Sequence, residues 1–245
     1  KIPVVDADGA GRSVPEVHLK VYTIDNIPLA PMIVADSYAK NVVVVKETMD
    51  SRAAERIART LAAEWGHSAY TARRILTGAQ VKTSPIQLSL SKSIKIGRLL
   101  RTAVEPIKAV LKETGGFTLF EGVVDYAEQK TEAGFTFVAI KLRGTHEYAG
   151  STFDFKAKNE VLIAYRDGRL AAIAPDIITP VHPETGKCIT AEKIEKGDKL
   201  AVLGLPAPKK WKTSRGLELW KDVLQRSNIL EEYVPIEKLA SCIRG

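Results

Sequence analysis

The rhythm of apolar and polar positions changes twice along this chain. Up to about residue 48 the apolar residues come in extended runs broken by turns. Val17, Leu19 and Val21 alternate with His18, Lys20 and Tyr22, which predicts a half-buried strand. Asn41 is followed by Val42, Val43, Val44 and Val45, apolar on both faces, as in a strand covered on both sides. From Asp50 the period lengthens. Ala54, Ile57, Ala58, Leu61, Ala62 and Trp65 recur at helical spacing behind a possible N-cap at Asp50 or Ser51, and Gly66 ends the run. A second helix is expected to start at Ser84-Pro85 and carry Ile86, Leu90 and Ile94 toward Leu100. A third starts at Glu105-Pro106 and stops at Gly115-Gly116.

Beyond that glycine pair the pattern becomes short strands: Phe117–Tyr126, Phe135–Leu142, Val161–Tyr165, Leu170–Ala174 and Lys199–Val202. Asp167-Gly168 between two apolar runs is a hairpin signal. After Pro206-Ala207-Pro208 helical spacing returns with Leu217, Leu219, Trp220, Val223 and Leu224. The expected fold class is therefore α/β plus β. A mixed α/β domain over 1–115 is followed by a β-rich domain over 116–213 and a helical tail over 214–245.

Composition narrows the function classes. At 245 residues the chain can bury a core without covalent staples. Its two cysteines, Cys188 and Cys242, match no zinc or redox spacing, and they exclude a disulfide framework. A reducing, cytoplasmic setting is expected, and no apolar run is long enough to span a membrane. The net charge of +7 comes from dispersed Lys and Arg without interleaved aromatics, so no nucleic-acid partner is expected. Asn and Gln together number only eight, which fits either a thermophilic composition or a lineage bias.

The densest polar feature runs from Val5 to Glu16. Asp6, Asp8 and Glu16 supply carboxylates suited to general-base work, Gly9 and Gly11 permit close backbone approach to a ligand, and Arg12 suits a planar, imide-like or carboxylate group. The competing reading is a tight turn in which the aspartates cap backbone amides. A second candidate is Lys82 with Ser84, Ser89 and Ser91 at a helix start, a place for an anion or a developing oxyanion, against ordinary N-cap serines beside an exposed lysine. The four histidines match no metal motif, so no metal and no other cofactor is expected; a hard divalent cation on the acidic loop is the secondary possibility. His18, beside that loop, either joins a site there or is a hydrogen-bonded structural residue.

Several blocks fall in the order of a known family. Pro3-Val4-Val5-Asp6-Ala7-Asp8-Gly9-x-Gly11-Arg12-x-x-Pro15-Glu16 resembles the opening of the conserved middle of the S-methyl thiohydantoin desulfurase family. Thr77-Gly78-Ala79 to Lys82, with Ser91 and Ile96-Gly97-Arg98, is similar to its next block. Gly116-Phe117 through Asn159-Glu160, Pro175-Asp176, and Ala201 through Pro208 with Trp211, Thr213, Gly216 and Leu217 resemble its carboxy-terminal domain. The chain departs from the pattern at His67, at Gln87-Leu88 and from Trp220 onward. The resemblance implies hydrolase-like chemistry on a five-membered, imide-like ring of the thiohydantoin or hydantoin type. In that reading Asp6 or Asp8 activates water, while Arg12 and Lys82 hold the polarised ring oxygen. The alternative it implies is a non-catalytic accessory subunit of a hydantoinase/oxoprolinase-like complex. The partners implied are a small cyclic amide, an amino-terminal segment missing from this chain, a hydantoinase-like subunit and further copies in a homo-oligomer. With Lys1 read as opening inside a strand, an unpaired edge or an uncovered apolar face is expected in the first domain.

Overall fold

The computed structural model describes residues 3–132 and 134–243, except the side chains of 241–243. Two compact units emerge, 1–89 and 90–245. Together they have the α/β plus β character that the sequence pattern predicts.

In the first unit β1 (Ala7–Asp8) pairs antiparallel with β5 (Ile86–Gln87). A single turn of helix, α1 (Val21–Ile24), leads to β2 (Met32–Ala35), β3 (Val42–Val45), α2 (Ser51–Glu64), β4 (Tyr70–Arg73) and α3 (Gly78–Thr83). The strands form an antiparallel sheet in the order β3-β2-β4. Helix α2 forms as its spacing predicts. Asp50 caps it by accepting from the Ala53 amide at 2.7 Å, and the His67 amide closes its end on the Ala62 carbonyl. Its Ala54–Ala58 stripe packs with Leu29, Met32 and Val34 from one face of the sheet.

The other face is different. Ile33, Val42, Val44, Tyr70 and Ala72 all point outward and are exposed, so β3 is covered on one side rather than both. The alternation over 17–22 does not make a strand either. The Leu19 amide bonds to the Glu16 carbonyl, Lys20 to His18 and Thr23 to Lys20, which winds the segment into turns that enter α1. Period two fails here because the polar positions Glu16 and His18 are themselves buried. The strand expected to be under way at the start is irregular over 3–5, and Lys1 and Ile2 lie outside the described residues.

The second unit opens with α4 (Ser89–Thr102, its first residue in the first unit) and α5 (Pro106–Thr114), which Gly115 ends in a left-handed conformation at φ 68°. The expected start at Ser84-Pro85 moves to Ser89 because 86–87 is taken by β5. Strands β6 (Phe117–Glu132), β7 (Phe135–Gly144), β8 (Thr152–Lys158), β9 (Glu160–Arg166), β10 (Arg169–Ile173), β11 (Ile177–Val181) and β12 (Lys199–Leu205) form one curled antiparallel sheet in the order β10-β9-β8-β7-β6-β12-β11. Asp167 and Gly168 both take positive φ, as a two-residue hairpin requires. Phe120 stacks on Phe153 with ring centroids 5.1 Å apart, and both are fully buried.

Helices α6 (Ser214–Arg226) and α7 (Ile236–Ile243) complete the unit. Asp176, fully buried, ties the tail down. Its Oδ1 accepts from the Ala207 amide at 2.7 Å, and its Oδ2 accepts from the Ile236 amide and the Tyr233 hydroxyl. Among the described residues no helix is long and apolar enough to cross a membrane.

Candidate functional site

The glycine-rich loop after β1 folds around Asp8. Its Oδ1 accepts from the amides of Ala10 and Gly11 at 2.6 and 2.7 Å, and Gly11 takes φ 65°. Gly9 lies flat against the Tyr22 ring, where any Cβ would collide with the ring edge, and its carbonyl accepts from the Val21 amide. The loop is thereby locked onto the start of α1.

That locking places Asp8 within electrostatic reach of Lys20 and Tyr22, and Lys20 in turn lies within reach of Arg73 and Arg74. The Lys20 ammonium is held below its ordinary pKa, first by burial, then by Arg73, with Asp8 opposing and Arg74 adding. Among the described residues no acceptor stands within hydrogen-bond distance of its Nζ. Arg74 is almost fully buried and sits in the left-handed region at φ 59°, a conformation that costs an arginine about 1 kcal/mol or more. Its guanidinium donates to the Ile27 carbonyl at 2.6 Å and to Thr23 Oγ1 at 2.8 Å, and lies 5.6 Å from the Tyr22 ring centre. Among the described residues its Nε has no hydrogen-bond partner. Burial, then Arg73, lowers its pKa to about 10. Arg73, also lowered by burial, donates to Thr71 Oγ1. Burial and then Asp8 push the Tyr22 hydroxyl upward. Lys20, Arg73 and Arg74 are partly desolvated cations crowded together, with Asp8 in reach of Lys20 and Glu55 in reach of Arg73, and such a field attracts an anion or a polarised oxygen.

A second cluster adjoins this one. Glu16, His18 and Glu55 are all buried. His18 Nδ1 lies 3.3 Å from Glu16 Oε2 and 3.4 Å from Glu55 Oε2. Arg59 donates from Nε and Nη2 to Glu55 Oε1 at 3.1 and 2.9 Å, and the Val17 amide donates to Oε2 at 2.8 Å. Burial pushes the Glu55 carboxyl up, but hydrogen bonds from His18 and Arg59 outweigh it and hold the group below the usual glutamate value. Glu55 also lies within electrostatic reach of Arg73.

The residues singled out in the sequence thus separate. Asp8, Gly9 and Gly11 build one turn, and Glu16 belongs to the buried cluster with His18. The carbonyl of half-buried Asp6 accepts from the Leu88 amide, so the β1–β5 pairing draws the acidic loop and the segment before Ser89 together. Arg12 donates from Nε to its neighbour's carbonyl on Ser13. Lys82 is exposed on α3, Ser84 donates to Asp25, and Ser91 belongs to the second unit. Sequence reasoning passed over Lys20, Tyr22, Glu55, Arg59, Arg73 and Arg74. The only linear signal was the Arg73-Arg74 doublet closing an apolar strand.

Comparison with known proteins gives a consistent picture. The family model for the S-Me-THD-like N-terminal domain matches residues 1–47, and that for the S-Me-THD-like C-terminal domain matches residues 49–221. The join between them falls between β3 and α2, inside the first unit. A crystal structure of a protein from Chromobacterium violaceum is similar to this chain with a TM-score of 0.76 at 23% identity, over 96% of this chain and 67% of that one. At that identity the likeness shows the fold. No curated protein gives a significant match.

Proposed function

The chain belongs to the S-Me-THD-like family, that of the S-methyl thiohydantoin desulfurases, and from that premise we propose that its first unit binds and hydrolyses a five-membered cyclic amide of the S-methyl thiohydantoin type. The observation that carries the reading is the crowding of three partly desolvated cations, Lys20, Arg73 and Arg74, with Asp8 in reach of Lys20. In the proposed reaction water attacks the ring carbon bearing sulfur, and Asp8 takes the water proton. The C–S bond breaks, Asp8 passes its proton to the departing methanethiolate, the water's second proton goes to the ring nitrogen, and the ring carbon gains its carbonyl. Lys20 and Arg73 stabilise the negative charge that builds on the ring's remaining oxygen and nitrogen during attack. Tyr22, pinned by Gly9, supplies a flat apolar wall for the ring. The cations of the trio take the part that the family resemblance gives to Arg12 and Lys82, because Arg12 is engaged by its own loop and Lys82 is exposed.

The test is an assay of methanethiol release and ring opening with the full-length protein, with and without Asp8→Asn. Turnover that falls at least about 100-fold in the variant supports the reading. A second reading, an accessory subunit of a hydantoinase/oxoprolinase-like complex, is favoured by the exposed apolar face of Ile33, Val42, Val44 and Tyr70. Turnover only with such a partner, unaffected by Asp8→Asn, would select it.

A further inference from the structure

We propose that Glu16, His18 and Glu55 form a buried site for one zinc-class divalent cation, held by His18 Nδ1 and one oxygen from each carboxylate, with a water completing the four-coordinate shell. The three side chains come from a turn and from a helix 37 residues further on, so no linear spacing announces them. The donor atoms of all three lie within 4.8 Å of one another.

The geometry favours a shared ion over direct hydrogen bonds. His18 Nδ1 stands 3.3 and 3.4 Å from two carboxylate oxygens at once. A charge-assisted N–H to carboxylate bond closes to about 2.7–2.9 Å. Ligands about 2.0–2.1 Å from a tetrahedral zinc stand about 3.3–3.4 Å apart along the tetrahedron's edge. His18 provides a second, independent observation. It is 3% exposed, and among the described residues its Nε2 has no hydrogen-bond partner. A ring held this way can turn its Nδ1 lone pair toward an ion shared with the two carboxylates.

Surrounding groups orient the donors as outer partners of a metal site do. Arg59 occupies Glu55 Oε1, and the Val17 amide steers Oε2 toward the histidine. An imidazole donor selects a borderline ion over Mg²⁺ or Ca²⁺. Deep burial assigns the ion a structural role. It clamps the turn at 16–18 to α2, and this turn leads directly into Lys20 and Tyr22. The site therefore stands whether or not the first unit is a hydrolase.

The experiment uses the full chain carrying Cys188→Ser, which removes the exposed thiol. The protein is stripped with a chelator, then titrated with Co²⁺ and, separately, with Zn²⁺. The expected result is one ion per chain, the strong visible absorption of four-coordinate Co²⁺, and X-ray absorption of the zinc form showing nitrogen and oxygen neighbours at about 2.0–2.2 Å. Arg59→Ala, which leaves every ligand in place, should weaken binding about 10–100-fold. His18→Gln should abolish the four-coordinate spectrum. The X-ray absorption measurement needs no substitution at the site, so a variant that fails to fold does not shield the proposal. Failure to bind a stoichiometric ion, sulfur neighbours in the absorption spectrum, or a cobalt spectrum unchanged in folded His18→Gln would overturn it.

Discussion

The two units of this chain store their free energy in different places. In the second, a curled seven-stranded sheet closes on a continuous apolar core of Phe120, Phe153, Phe155, Ile140 and Val202. Its fully buried carboxylate, Asp176, meets two backbone amides and a tyrosine hydroxyl. In the first, the apolar core is small, one sheet face is bare, and the interior holds Glu16, His18, Glu55 and Arg74. An arginine sits in a left-handed conformation there, and among the described residues a lysine ammonium has no acceptor. Native interiors satisfy their polar groups unless function keeps them otherwise. In the function we propose, the second unit is the scaffold and the first carries the chemistry.

Several substitutions probe that division. The largest effect is expected from Phe120→Ala. Removing a fully buried ring from the second unit should cost about 3–5 kcal/mol, read by denaturant melts, while ligand affinity per folded molecule stays unchanged. Lys20→Ala should do the reverse, lowering kcat/KM about 100-fold, near 2.7 kcal/mol, with little change in melting. Equal losses of stability in both variants would dissolve the comparison. Asp50→Ala, which deletes the cap of α2, should cost the first unit about 1 kcal/mol and leave amide exchange in the second unit unaltered.

The smallest effect concerns Asp36, which gathers the Tyr38, Lys40 and Asn41 amides at the β2–β3 turn. Burial pushes its carboxyl up, but these bonds and the Asn41 side chain outweigh it and hold its pKa below the ordinary aspartate value. Its contribution to stability is therefore present above about pH 3.9, the ordinary value, and is lost as pH falls through the lower, folded value. Hydrogen exchange in that hairpin should rise on acidification, and Asp36→Asn should flatten the response.

How much of this was legible in the sequence follows from which residues carry it. Helices α2 and α5 and most second-unit strands obey simple periods with visible caps, glycine stops and the Asp167-Gly168 turn. Strands β8 and β11 escaped because Asp154 and Lys156 interrupt one, and Pro180 and the short apolar run blur the other. The acidic loop stood out as a site candidate through its density of glycine and carboxylate. Most of its neighbours did not. His18 is a candidate beside the loop, but its buried contact with Glu55 is not legible, and Lys20 looks like the solvent side of a strand until the turns at 16–20 are seen. Glu55 occupies an ordinary helical position and becomes remarkable only on burial. Arg73 and Arg74, at the end of β4, come within electrostatic reach of Lys20, a contact that no local pattern encodes.

The most direct measurement is calorimetric titration of an S-methyl thiohydantoin into the full-length protein and into its Lys20→Ala and Lys82→Ala variants, repeated across alkaline pH. The account predicts affinity about 10–100-fold weaker in Lys20→Ala, unchanged in Lys82→Ala, and declining in the parent protein as pH rises through a value below the ordinary lysine pKa of about 10.4, because the lowered pKa of Lys20 discharges it early. Affinity that is indifferent to Lys20 and lost in Lys82→Ala would contradict it.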